Sequence, residues 1–283
     1  DAIQNSLLFR YNVYPNKTNY NLNKVEPIFD FTGRSHITQS IYSIDPEGCR
    51  DIDDAFSIIP GKILIHISDV YSFLTKNNLI NKVNNTTSIY LLDKVMHSID
   101  KKLSTDWCSL IANTKRYMLS LEIDIESKEY KFYPSYGLIT GNFSYDRYPE
   151  EINNSFEDVK QLYKHFTGTD KILEDSHQFI ECLMIMYNHL FVKNLLDNNK
   201  NPIYRVQEKT ERRYENAGNE LERFLNIISS KSANYSCEDI GHDHLNMKGN
   251  YSHTTSPIRR IVDLLNQEIY FGENILIQKF DLN

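Results

Sequence analysis

The hydrophobic period changes once along this chain, and that change limits the folds open to it. In the first half apolar residues recur in short β-branched runs. Ala55-Phe56-Ser57-Ile58-Ile59 and Ile63 to Ser68 are two such runs, split by the turn Pro60-Gly61-Lys62. Tyr117 to Ile125 alternates in period two and so, more loosely, does Tyr130 to Ile139, across a turn near Ser127-Lys128-Glu129. This pair predicts a hairpin. Residues 1–35 read as irregular or short strands, with a turn at Pro15-Asn16-Lys17. Beyond residue 170 the spacing is helical: Phe179, Ile180, Leu183, Met184, Tyr187, Leu190 and Phe191 predict a helix over 170–198. Lys209 to Ile228 predicts a second, with Leu221, Phe224, Leu225 and Ile228 inside. Ser256-Pro257 opens a third, since Ser is a favoured N-cap and Pro fits the first helical position. Strands first and helices later predict an α+β fold, a mixed β-sheet core with surrounding helices. The expected organisation is an N-terminal segment, 1–36, followed by one large domain, 37–283.

Composition excludes several classes. Apolar residues make up 40% of the chain and charged residues 24%, so a packed core forms and wholesale disorder is excluded. No run approaches the roughly 18 apolar residues of a membrane span, so no membrane partner is expected. The net charge of −7 argues against coating nucleic acid by bulk electrostatics, while leaving room for a local basic groove. The four cysteines lie far apart with no CxxC pair, which argues against a zinc ribbon or disulfide scaffold and for a reducing, cytoplasmic compartment. His242, His244 and His253 lack a carboxylate or cysteine at ligand spacing and make a weak zinc pattern. The chain begins Asp1-Ala2-Ile3, neither a signal peptide nor an initiator Met, and is expected to be trimmed or processed.

Chemistry concentrates in two segments. The first is Ser43-Ile44-Asp45-Pro46-Glu47-Gly48-Cys49-Arg50-Asp51-Ile52-Asp53-Asp54-Ala55-Phe56, with four aspartates inside ten residues just ahead of a hydrophobic strand. Pro46 and Gly48 make a turn, so Asp45 can fold back toward Asp51, Asp53 and Asp54. Without a cation these carboxylates would repel and raise one another's pKa. A hard divalent ion resolves that conflict, and all-oxygen ligands suit Mg²⁺ or Mn²⁺. A solvated acidic turn explains the same residues. An EF-hand loop does not, because neither register supplies its Asp-x-Asp-x-Asp-Gly with a late Glu.

The second segment runs from Tyr251 to Leu265 and carries Thr255, Ser256, Arg259 and Arg260 at the start of the third helix. A helix N-terminus offers free N–H groups and a positive dipole end to a phosphate. Two arginines in a first turn oppose that dipole, and an anion would account for them. An arginine aimed at a scissile phosphate would stabilise charge that develops in the transition state. Pairing of Arg260 or Arg259 with Asp263 is the alternative.

Together the two segments resemble the catalytic domain of the ribonuclease II/ribonuclease R family, the RNB domain. Ile44-Asp45-Pro46 and Asp51-Ile52-Asp53-Asp54-Ala55 match its first motif, and Tyr251 to Leu264 matches Tyr-x-His-x-Thr-Ser-Pro-Ile-Arg-Arg-x-x-Asp-Leu. Weaker family-like stretches lie between, in the expected order: Thr87 to Tyr90, Leu103 through Leu110, Ile180-Glu181 with Met184 and Asn188, and Tyr204 to Lys209. The resemblance covers about residues 37–270. It implies a Mg²⁺-dependent hydrolytic exoribonuclease that degrades single-stranded RNA from the 3′ end to nucleoside 5′-monophosphates. It further implies that Asp45, Asp51, Asp53 and Asp54 hold the metal, with Asp53 indispensable, and that Arg259 stabilises the transition state. Tyr90 would stack on a base, Glu181 would contact the terminal nucleotide, and Ser256 and Arg260 would lie against the RNA.

The chain departs from the family pattern at three places. Gln267-Glu268 replaces a His-Arg pair, Thr254 replaces a Phe, and a Met-Leu-Pro stretch survives only as Met96-His97-Ser98. The family usually carries OB-type RNA-binding domains on both sides, and these 283 residues leave no room for a full C-terminal one, so a protein partner supplying RNA-binding domains is expected. The alternative function is a catalytically weak or inactive RNB-like module that binds RNA or protein.

Overall fold

A computed structural model describes residues 22, 25–83, 86–91, 95–209, 231–247, 249–273 and 275–276. Five strands form its centre: β1 (Ser35–Asp45), β2 (Asp54–Ile59), β3 (Lys62–Ser68), β6 (Lys115–Asp124) and β7 (Tyr130–Ser144). Each is antiparallel to the next, and β7 returns to pair with β1, closing a barrel. A meander with an odd number of strands must close on a parallel pair, and β7–β1 is parallel. Closure also needs the two backbones to come together. At Gly137 of β7 a Cβ would stand 2.5 Å from Ile41 Cδ1, where the β1–β7 register shifts. The α+β class holds, and the mixed sheet takes the form of a closed barrel.

Alternation sorts the strand residues between two cores. Ile37, Ile41, Ala55, Leu64, Met118 and Ile139 cluster on one face. Ile44, Phe56, Ile63, Ile65, Ile67, Leu119, Leu121 and Ile123 face the other way, against two helices. These are α2 (Phe156–Thr167), capped by Gly168 at φ 72°, and α3 (Ser176–Asp197), which lays Phe179, Leu183, Tyr187 and Leu190 on the sheet. The long helix therefore starts at Ser176, not at 170. Asp175 accepts a hydrogen bond from Gln178 N and caps it.

A third core joins α1 (Val70–Lys76) to the C-terminal helix α4 (Ile261–Phe271), with Leu103 and Trp107 between them. Gln267 strengthens this joint: it donates to Ser68 O at 2.7 Å and accepts from Tyr71 N at 3.2 Å. The departure from the family's His-Arg pair thus ties α4 to the barrel. Two small sheets complete the description, β4 (Ile89–Tyr90) with β5 (Val95–Met96), and β8 (Tyr204–Val206) with β9 (Asn234–Ser236). The helix expected over 209–228 lies, apart from Lys209, outside the described residues, as do residues 1–21 of the N-terminal segment.

Candidate active site

The acidic segment is the connection from β1 to β2, at one end of the barrel. Asp45 ends β1 and Asp54 begins β2. Gly48, at φ 78°, supplies the left-handed turn that reverses the loop between them. The loop is pinned from below. Ser109 accepts from Ile52 N and donates to Arg50 O, Leu110 N donates to Ile52 O, and Ser68 N donates to Asp53 O at 2.8 Å. The family-like Cys108-Ser109-Leu110 stretch thus holds the loop in place.

The second segment reaches the loop from α4. Ile258 N and Arg259 Nε donate to the two oxygens of Asp53, each at 2.7 Å, across 205 and 206 residues of sequence. Asp53 is fully buried, whereas the Arg259 side chain is 41% exposed and faces the cleft. Arg259 Nη2 also donates to Ser256 Oγ at 2.9 Å. Ser88 N donates to Arg259 O, and Ile261 N to Thr86 O, so the strand leading to Tyr90 is stitched to this turn. The Tyr90 hydroxyl donates to Asp51 Oδ2, and its ring is 53% exposed.

One sequence expectation is corrected here. The third helix begins at Ile261, not at Ser256-Pro257, and residues 256–260 form a tight turn closed by Arg259 N and Arg260 N on Ser256 O. The buried Asp263 accounts for the shift: it accepts from Ser256 N at 2.7 Å and takes both Arg260 Nε and Nη2. The anion at the start of this helix is therefore Asp263, and the arginines stand outside the first turn. Arg260 is committed to that bidentate pair.

These elements enclose a cleft of about 900 Å³. Asp45, Asp51, Asp54, Tyr90, Ser256 and Arg259 all line it. Cys49, His97, Lys101, Thr105, Tyr145, Ile180 and Met184 line it as well, and of these Lys101 and Tyr145 fall outside the stretches that the sequence singles out. Lys101 carries no periodic or motif signal of its own, and Thr105 lies within the family-like stretch from Leu103 to Leu110. The family-like stretch around Met96 was the available hint. Glu181 and Arg260 do not line the cleft: Glu181 pairs with Lys171, beside the cleft-lining Ile180.

The electrostatics follow from this crowding. Burial, opposed by Ser43 and Arg259 and reinforced by Asp51, pushes Asp45 up to about 6. Burial and the neighbouring Asp45 hold Asp54 well above the usual carboxylate range. Burial also raises Asp53, against Arg259 and the Ile258 amide, while Asp53 in turn holds the Arg259 guanidinium above its ordinary value. Cys49 is pushed up to about 12 by burial and the carboxylates, which leaves its thiol unreactive.

The residues fit a hard divalent cation in one way and not in another. Among the described residues no three or more His, Cys, Asp and Glu side chains converge as a ready-made cage. Asp53 has both oxygens engaged, and Asp51 accepts from Tyr90 and Cys49. Asp45 Oδ2, by contrast, is buried without a hydrogen-bond partner, next to Asp54 in an open cleft. Two carboxylates with space for water and a substrate phosphate suit Mg²⁺ or Mn²⁺.

Comparison with known proteins identifies the family. The RNB domain model matches residues 34–165 and 140–271. The chain belongs to the RNB domain family. Ribonuclease R 2 of Lactococcus lactis subsp. lactis is 26% identical, over 60% of this chain and 28% of that protein. Ribonuclease R of Mycoplasma genitalium is 24% identical, over 93% of this chain and 48% of that protein. In fold the chain is similar to Mycoplasma genitalium RNase R, solved in complex with ribose-methylated single-stranded RNA, at TM-score 0.70 and 20% identity, over 98% of this chain and 55% of that one. It is also similar to an active-site mutant of the Dss1 exoribonuclease from Candida glabrata, at TM-score 0.63 and 16% identity, over 87% of this chain and 41% of that one. The chain spans about half the length, or less, of the curated relatives it matches. Among the described residues no helix is long and apolar enough to cross a membrane.

Proposed function

We propose that this chain is the catalytic part of a hydrolytic 3′→5′ exoribonuclease that requires Mg²⁺ or Mn²⁺. Its substrate would be single-stranded RNA, and its products nucleoside 5′-monophosphates. The observation that carries the reading is the meeting of Asp53 and Arg259 at the wall of a cleft that Asp45, Asp51 and Asp54 also line. A divalent ion bound by Asp45 and Asp54 would supply Lewis-acid activation of water and charge neutralisation at the phosphate. The chain's own residues do the rest. Asp53 fixes the Arg259 guanidinium from behind, so that its exposed nitrogens face a phosphate oxygen in the cleft, where added negative charge is stabilised. Ser256 orients the same guanidinium through Nη2. The half-exposed Tyr90 ring offers a face for a base, which holds RNA without reading its sequence.

Glu181, Ser256 and Arg260 enter the reading differently. Ser256 lines the cleft and acts through Arg259. Glu181 reaches a terminal nucleotide only after leaving Lys171, and Arg260 reaches RNA only after leaving Asp263. The acidic net charge favours RNA-binding domains supplied from outside these residues, by a partner or by further chain. The free cysteines suit a reducing, cytoplasmic setting. An inactive RNB-like module would need no set of four aspartates and no arginine aimed into the cleft.

The test is incubation with 5′-labelled single-stranded RNA. Progressive shortening from the 3′ end that appears with Mg²⁺ and stops with a chelator is the expected outcome. RNA left at full length with Mg²⁺ or Mn²⁺ present would contradict the reading.

A further inference from the structure

The small sheet β8–β9 carries a second cluster of chemistry-bearing side chains, which the cleft does not use. Arg205 on β8 lays its guanidinium 4.7 Å from the centre of the Tyr235 ring on β9. Its Nε is buried and, among the described residues, has no hydrogen-bond partner, and the described ion pairs include none to Arg205. Close to it lies His242, which is 8% exposed and has a buried Nδ1 that likewise lacks a partner. Tyr251 packs edge-on between His242, at 5.4 Å, and His253, at 6.1 Å. The Tyr235 hydroxyl and His253 Nδ1 share a hydrogen bond of 2.8 Å.

None of the carboxylates nearby makes a described ion pair with Arg205. Asp263 is spent on Arg260 and on Ser256 N, and Asp239 on the amides of Gly241 and Asn250. Burial and the Arg205 charge hold the His242 imidazole down to about 4, so it adds no compensation of its own. A half-buried guanidinium with an idle N–H, beside an imidazole with an idle nitrogen, is costly unless an acceptor with several oxygens completes it. A carboxylate presents two oxygens in one plane. A phosphate presents three or four in a tetrahedron, which suits donors that reach it from two different strands and a loop. Tyr235 is 40% exposed and marks the solvent-facing edge of the cluster.

We propose that Arg205 and His242, with Tyr235 at the open edge, form a binding site for a phosphate group, separate from the carboxylate cleft. Segment 251–256 connects the two places, because His253 belongs to this cluster and Ser256 to the cleft. The site does not depend on the reading of the cleft as a nuclease centre.

Isothermal titration of the protein with inorganic phosphate, and separately with adenosine 5′-monophosphate, tests it. The expected result is saturable binding of phosphate that Arg205→Met weakens roughly ten- to a hundredfold. Arg205→Lys should give an intermediate loss, and the Arg205-dependent binding is read as the difference between parent and variant, because Arg259 in the cleft meets phosphate as well. The His242 ring resonances should shift on phosphate addition in the same concentration range. If Arg205→Met does not fold, His242→Gln serves instead, with an expected loss of severalfold. Tighter binding of the nucleotide than of phosphate assigns the site to a nucleotide's phosphate, and equal binding to the free ion; both support it. Absence of saturable binding, or affinity unchanged in Arg205→Met or His242→Gln, would overturn it.

Discussion

The interior of the barrel and the cleft at its mouth share the same strands and obey opposite rules. Inside, the one buried imidazole is fully partnered: His66 sits between Ser57 at 3.0 Å and Ser120 at 2.6 Å, and burial holds it neutral, down to about 3. At the mouth, Asp45 keeps an oxygen without a partner and its carboxyl is raised to about 6. The strands that bury Ile63, Ile65, Leu119 and Leu121 supply the stability, and the loop at their end holds the unfavourable charges. The difference teaches where to look for chemistry in this fold. Polar groups that the barrel satisfies for itself are structural, whereas Asp45 at its mouth keeps an unsatisfied oxygen beside the cleft.

Substitutions at four positions sharpen or break that contrast. The largest effect is expected from Asp53→Asn, which should lower kcat/KM on RNA by about 10³-fold or more by releasing Arg259, while RNA binding survives; steady-state kinetics and a filter-binding assay measure both. Ile65→Ala, in the barrel wall, should cost about 2–5 kcal/mol in urea unfolding and leave the metal requirement of the folded fraction unchanged.

Asp45→Asn should do the reverse of a core mutation. A carboxyl whose folded pKa is raised binds more protons when folded than when unfolded, so its burden grows as pH rises from about 4 to about 6 and stays constant above. In metal-free buffer the variant should therefore be more stable than the parent at pH 7.5, by about 1–2 kcal/mol after allowance for solvent. The gain should vanish as the pH falls toward 4, and thermal melts across that range would show it. The smallest effect belongs to Tyr90. Tyr90→Ala should weaken RNA binding by about 1 kcal/mol, and Tyr90→Phe should leave it intact, if the ring and not the hydroxyl holds the base.

The strands and the cleft were legible in the sequence to different degrees. β-branched runs marked β2 and β3, and period two marked the β6–β7 hairpin. It did not reveal the closure of β7 on β1, because parallel pairing of distant strands leaves no local trace, and Gly137 reads as an ordinary glycine until Ile41 is beside it. Helix α2 escaped notice although Val159, Leu162, Tyr163 and Phe166 recur at helical spacing before Gly168. The start of α4 was misplaced because the sequence showed a capping Ser and a Pro, and offered Asp263 only as a partner for the arginines, not as the buried acceptor of Ser256 N that holds the turn. Of the candidate site, the residues inside the two motifs were found. Lys101 and Tyr145 were not, because the segment after β5 and the end of β7 reach the cleft only in the folded chain.

The central claim is that Asp53 and Arg259 act as one unit, and a double-mutant cycle tests it most directly. Rates of RNA shortening in Mg²⁺ would be compared for the parent chain, Asp53→Asn, Arg259→Lys and the double variant. If the pair is one unit, the double variant is no slower than the slower single variant, and the coupling energy is about 2 kcal/mol or more. Losses that multiply, with no coupling between the two positions, would contradict the account.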